Sequence, residues 1–398
     1  MKRSKLYFVL TVLCLLLVGC ASSVQVMSPA AEVTPLPVPT ASPTAVPTAA
    51  PSPTPSPSPT PTAEERILAA MTVEEKTAQL FFVRCPDIGA LEMIEQRQPG
   101  GLLLFGRDFA GKTVEQVTET LAAYQAAAKI PLLIGADEEG GTVVRVSQNA
   151  LLAEKRFSSP RALYVQGGTA AVCETEGVKC DLLRTLGVSV NFAPVCDLSD
   201  DPAAFMYSRS LGLSAEETAD VIADMVTVYE EKQVGCVLKH FPGYGNAADT
   251  HTGMVTDHRP WENFQAEDLL PFAAGIQAGA DCVLVSHSIV SCVDSEKPAS
   301  LSPAWHTVLR EELQFDGVII TDDLAMGAVQ DYADGASAAV AAVLAGNDML
   351  CCSDFETQYA AVLVAMQNGE ITEARLDESV LRILRWKNEL GLLPDVKE

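Results

Sequence analysis

Val234-Gly-Cys-Val-Leu-Lys-His-Phe-Pro-Gly-Tyr-Gly-Asn-Ala-Ala-Asp-Thr-His251 holds the reading that decides the fold. The run Val234–Leu238 is apolar without interruption and of strand length, the pattern of a strand covered on both faces. Lys239 and His240 follow at once, and a Gly-rich loop then carries the chain to Asp249 and His251. A strand that is apolar to its end and then delivers charge to a loop belongs to a parallel sheet with a site at its C-terminal edge.

Seven more runs share this character: Ala78–Val83, Gly101–Phe105, Pro131–Ala136, Val188–Val195, Cys282–Val285, Gly317–Thr321 and Asp348–Cys352. The segments between them are long enough for one crossover helix each, which is the rhythm of βα units. Helix starts are marked by the capping-box patterns Thr72-x-x-Glu75, Thr113-x-x-Gln116 and Ser214-x-x-Glu217. Eight units predict an α/β fold, a (β/α)8 TIM-type barrel forming a single catalytic domain over residues 63–398. An open doubly wound sheet with added strands is the second arrangement the rhythm permits. Polar residues favour the barrel: Asp137, Asp197, Lys239-His240, Ser286-His287 and Asp322 each fall at the end of a different run.

Ahead of this domain, Lys2, Arg3 and Lys5 precede an apolar stretch from Leu6 to Val18, a secretory leader too short to span a membrane. Leu17-Val-Gly-Cys20 resembles a bacterial lipobox, so residues 1–20 read as a lipoprotein signal with Cys20 as the lipidated residue. Residues 21–62, rich in Pro, Thr and Ser, read as a tether that favours extended polyproline segments. At about 3.1 Å per residue such a tether reaches on the order of 100 Å. The expectation is an exported protein, anchored through lipid to the outer face of the cell membrane. A net charge of −25 argues against a nucleic-acid partner, because no basic patch exists to release counterions. Most of the eleven cysteines sit singly in apolar runs, the placement of buried thiols rather than of a disulfide framework.

The rim residues suggest chemistry. Asp322 stands at a strand end as a candidate reactive carboxylate, and Asp323 beside it reads as a helix cap or supporting acceptor. Lys239 has two readings: a Schiff-base amine made nucleophilic by burial, or a charged donor that joins His240 in binding the hydroxyls of a polyol. Asp249 can accept one ring proton of His251, the arrangement that orients a general acid/base imidazole. Neither His240 nor His258 has metal-ligand spacing with His251, so no metal or cofactor is expected.

On these residues the chain resembles glycoside hydrolase family 3, in its single-barrel β-N-acetylhexosaminidase form. The resemblance runs from about Met71 to Leu393. It rests on Met71-Thr-Val-Glu-Glu-Lys-Thr-Ala-Gln-Leu80, Pro131-Leu-Leu-Ile-Gly-Ala-Asp-Glu-Glu-Gly-Gly141 with Arg145, and Asn191-Phe-Ala-Pro-Val-Cys-Asp197. It continues in Ser208-Arg-Ser-Leu-Gly212, the Lys239–His251 segment, Pro298-Ala-Ser-Leu-Ser302 and Ile320-Thr-Asp-Asp-Leu-Ala-Met326. The resemblance implies that Asp322 is a nucleophile forming a covalent glycosyl-enzyme, and that His251, oriented by Asp249, is the acid/base. It further implies that Asp137, Arg145, Arg209, Lys239 and His240 bind the sugar hydroxyls. The implied activity is retaining, exo-acting hydrolysis of terminal β-linked N-acetylglucosamine, on cell-wall muropeptides or related glycans; a monomer is expected.

Three departures stand out: Tyr244 occupies a position where His is common, the loop to Asp249 is about one residue short, and Thr142 replaces an Arg. A β-glucosidase of the same family and a non-catalytic sugar-binding lipoprotein are the alternative readings.

Overall fold

The computed structural model describes residues 61–246, 253–330 and 335–393. Eight strands run parallel: β1 (Phe81–Arg84), β2 (Gly101–Leu104), β3 (Leu133–Ala136), β4 (Val190–Asn191), β5 (Gly235–Phe241), β6 (Cys282–Val285), β7 (Val318–Thr321) and β8 (Leu350–Cys352). Their order in the sheet is β7-β6-β5-β4-β3-β2-β1-β8, so neighbours in the chain are neighbours in space and the last strand returns to the first. Phe81, Phe82 and Val83 pair with Leu350, Cys351 and Cys352. The remaining seam, between β7 and β8, is held by an Ile320 to Met349 bridge and by Met349 N donating to Ile319 O at 3.0 Å. A doubly wound sheet would reverse its strand order and keep two open edges. This ring does neither, and it is a nearly closed (β/α)8 barrel.

All seven residues of β5 are buried, as are all four of β2, β3, β6 and β7, which is why these strands read as unbroken apolar runs instead of alternating ones. Inside the barrel Phe82 meets Phe192 edge-to-face at 5.1 Å between ring centres. The two rings leave no room on β3: a Cβ at Gly135 would lie 2.7 Å from Phe192 and 2.9 Å from Phe82. Helices Val114–Ala127, Pro160–Leu186, Ala215–Lys232 and Leu269–Gln277 form much of the outer layer. The helix Glu373–Glu389 runs past the N-terminal end of the barrel, where Trp386 packs on Gly235 at the start of β5.

All three predicted capping boxes form, and a fourth, Thr62 with Glu65, starts the helix Ala63–Ala70. Apart from Cys282–Val285, the strands differ from the apolar runs by one or more residues at an end, and two of the differences are instructive. Ala78 and Gln79 close the helix Val73–Gln79, because the capping box at Thr72 commits that segment before β1 begins. The run Val188–Val195 shrinks to Val190–Asn191 plus one bridge from Val195 to Lys239. The nine described cysteines are free thiols, and seven of them are buried. Cys20, the leader, residues 21–60 of the tether, Asp249 and His251 lie outside the described residues.

Candidate active site

The C-terminal ends of the strands surround a cavity of about 540 Å³. Asp137, Arg145, Arg209, Lys239, His240 and Asp322 all line it. They come from five separate stretches of chain, and each is aimed by its local structure.

Asp137 leaves β3 just ahead of a short hairpin, Glu138–Gly140 against Val143–Val144. Glu138 points away from the cavity and is fully buried. Its carboxylate accepts from the backbone N–H groups of Arg145 at 2.9 Å, Val146 at 2.7 Å and Ser147 at 3.3 Å. Closing the turn in this way stands Arg145 over the rim, 3.7 Å from Asp137. Asn191 on β4 accepts from the Glu138 N–H at 2.9 Å and ties the hairpin to the barrel wall.

Lys239 and His240 end β5 and are joined by a cis peptide bond. The Lys239 Nζ lies 2.7 Å from both Asp137 Oδ1 and Glu139 Oε1. Arg209 grips the same Glu139 with both arms, Nε to Oε2 at 2.9 Å and Nη2 to Oε1 at 2.7 Å. Burial works against charge on Lys239, but the two carboxylates outweigh it and hold its pKa above the ordinary value. This pairing favours the charged-donor reading over the Schiff-base one, which needs a neutral amine. Burial likewise pushes the Glu139 carboxyl up, yet Lys239 and Arg209 prevail and keep it well below the usual range. Each charge in this cluster faces an opposite one, which offsets part of the cost of taking it out of water.

His240 is fixed from behind. Asp197, buried at the end of the segment after β4, accepts from the His240 N–H at 3.0 Å and its Nδ1 at 2.8 Å, and from Tyr244 N–H at 2.7 Å. With Nδ1–H donating to Asp197, Nε2 is left to accept from Arg209 Nη2 at 3.1 Å. Tyr244 stands edge-on to the His240 ring, 5.3 Å between centres, so the residue found where His is common serves as a wall.

Asp322 follows β7, and its backbone N–H donates to Val285 O on β6 at 3.1 Å. The Asp323 N–H donates to Asp322 Oδ1 at 2.8 Å. Asp323 itself accepts from the Ala325 and Ser353 N–H groups and from Ser353 Oγ, the part of a turn acceptor. Beneath them His287 is buried, donating from Nε2 to Asp323 O at 3.1 Å and accepting at Nδ1 from Ser300. Burial lowers its pKa, so it serves as a neutral strut.

Sequence reading named Asp197 as a rim residue without a role and left Glu139 inside a motif. The pairing of two carboxylates with one lysine comes from positions 137, 139 and 239, which only closure of the barrel brings together. Arg84 and Phe105 also line the cavity, and nothing in their local sequence marked them. Chemically, the cavity offers fixed donors and acceptors for several hydroxyl groups beside a strand-end carboxylate.

The family described as Glycosyl hydrolase family 3 N terminal domain matches residues 72–386. A β-hexosaminidase of Xanthomonas axonopodis pv. citri (strain 306) is 36% identical over 285 residues, covering 69% of this chain and 82% of that protein. A β-hexosaminidase of Idiomarina loihiensis is 33% identical over 295 residues, covering 73% and 87%. Among solved structures, the family 3 β-N-acetylglucosaminidase of Paenibacillus sp. str. FPU-7 superposes with a TM-score of 0.76 at 32% identity. That alignment covers 83% of this chain but 64% of the Paenibacillus chain, so the chain spans under two thirds of that protein. With the barrel, the rim and these likenesses together, the chain belongs to glycosyl hydrolase family 3 and is a glycoside hydrolase.

Proposed function

We propose that this protein is a retaining exo-β-N-acetylhexosaminidase that removes terminal β-linked N-acetylglucosamine from cell-wall muropeptides or related glycans. One observation carries the reading: the Asp322 carboxylate lines the same cavity as a cluster of paired cations and carboxylates from other parts of the barrel. The names of the relatives, β-hexosaminidase and β-N-acetylglucosaminidase, point to the sugar. Asp137, Arg145, Arg209, Lys239 and His240 hold the ring. Asp322 attacks the anomeric carbon while the bond to the leaving oxygen breaks and His251, oriented by Asp249, protonates that oxygen. Water then attacks the glycosyl ester, giving its proton to His251 and freeing Asp322, with configuration retained by the double displacement. An imidazole suits both steps because its unperturbed pKa of about 6.5 lies near working pH. The lipid on Cys20 and the tether would hold this domain outside the cell membrane.

The test is hydrolysis of aryl β-N-acetylglucosaminide against aryl β-glucoside by the purified protein and two variants. Asp322→Asn should lose at least about a thousandfold in kcat, and turnover equal to wild type would refute the nucleophile. His251→Ala should slow poor leaving groups far more than activated ones, because an activated group needs less protonation. Equal losses on both would remove the acid role.

A further inference from the structure

The cations of the cavity are not equally occupied. Lys239 is engaged by Asp137 and Glu139, Arg209 by Glu139, and Arg145 faces Asp137. Arg84, at the end of β1, is different. It has the same strand parity as Phe82, which points into the barrel, and so its side chain enters the mouth, where it lines the cavity half-buried. Among the described residues no carboxylate pairs with it, and its buried Nε has no hydrogen-bond partner. The Arg145 Nε is in the same condition. Both guanidinium groups lie over the ring of Phe105, Arg84 at 4.4 Å and Arg145 at 5.5 Å from its centre.

In a chain with 52 acidic residues against 27 lysines and arginines, carboxylates are plentiful, and a cation left without one is conspicuous. Contact with an aromatic face uses the plane of a guanidinium and leaves its N–H edge free. A half-buried arginine without a carboxylate partner, with an unpaired Nε–H, steadied by a ring and seconded by another arginine, suits recognition of an oxyanion.

We propose that Arg84 and Arg145, set against Phe105, form an oxyanion subsite that takes a carboxylate borne by a substituent of the sugar substrate. This rests on the glycosidase reading above and narrows it to acidic glycosides.

The experiment compares phenyl β-N-acetylglucosaminide with its para-carboxylate analogue on wild type, Arg84→Gln and Arg84→Lys, and titrates benzoate and inorganic phosphate calorimetrically into each. Circular dichroism checks folding. The ratio of kcat/KM for the acidic over the neutral glycoside should fall at least about tenfold in Arg84→Gln, the loss expected for a charge-assisted pair. Arg84→Lys should fall between, because it keeps the charge and loses the fork. Phosphate binding lost in Arg84→Gln with the glycoside ratio unmoved would assign the subsite to free phosphate and overturn the carboxylate. An unchanged ratio with unchanged titrations would remove the subsite altogether. Absence of turnover by wild type on either glycoside would defeat the glycosidase reading alone, and the titrations would still decide the subsite.

Discussion

Among the buried lysines of this barrel, one near each end is treated in the opposite way to the other. Lys239, at the C-terminal rim, is held between two carboxylates, and its pKa is raised. Lys387, at the N-terminal end, is fully buried with Gln79 Oε1 at 2.6 Å as its hydrogen-bond acceptor, and burial lowers its pKa to about 7. The rim gathers charge and compensates it, which suits a site that must present donors to a polar ligand. At the opposite end Lys387 meets a neutral amide, which does not offset the cost of burying its charge. The difference teaches that burial alone does not set a lysine's state; the partners supplied by neighbouring strands do.

The comparison breaks most sharply at Lys239. Lys239→Met should leave the partly exposed Asp137 and the buried Glu139 without the cation they share, costing about 3–5 kcal/mol of stability and roughly a hundredfold or more in kcat/KM. Denaturant melts and steady-state rates measure both. Lys387→Met should do the reverse, keeping the rate within about twofold and raising stability below neutral pH. A loss of stability there at pH 6 would show that the buried amine is supported by more than Gln79.

The pH dependence sharpens the contrast. The ordinary lysine value is 10.5, and the folded value for Lys387 is about 7. The unfolded chain therefore holds one proton more between those limits. The contribution of Lys387 to stability is present above about 10.5 and is lost as pH falls through about 7. Wild-type Tm should gain from this residue between pH 7 and 10, and the gain should vanish in Lys387→Met. Asp281, also at the N-terminal end and accepting from the Cys236 N–H, works with the opposite slope. Burial raises its pKa from 3.8 to about 7, so its contribution is present below 3.8 and lost as pH rises through about 7. Asp281→Asn should flatten the acid side of the same Tm curve.

A smaller effect tests the support behind the rim. Glu138→Gln keeps the shape but replaces one accepting oxygen with a donor facing backbone N–H groups, at a cost of about 1–2 kcal/mol. Because that turn aims Arg145, KM should rise several-fold with kcat less affected. A change in kcat alone would argue that Glu138 does not act through Arg145.

The strands were legible because parallel strands buried on both faces leave continuous apolar runs, and Lys239, Asp137 and Asp322 were legible because a charge directly after such a run has few structural uses. The limits of legibility were also physical. Gln79 reads as part of an apolar segment until the Thr72 capping box is allowed to finish its helix. Glu139 looks like one acid among several, since its partners Arg209 and Lys239 stand far away in sequence. Lys387 follows Trp386 on an amphipathic helix, and its hydrogen-bond partner, Gln79, lies far away in the sequence. Arg84 gave no sign because the absence of a partner is a property of three-dimensional surroundings.

The pairing of β1 with β8 has a consequence for how the molecule is made. A ribosome delivers Phe81–Arg84 first and Leu350–Cys352 last, yet these strands are hydrogen-bonded neighbours. Until the final helices emerge, the nascent sheet presents a bare apolar margin along β1, a template for mispairing with other chains. Biogenesis therefore hinges on a late stitch, and truncations that remove β8 should yield aggregates, since nothing else can cover that margin.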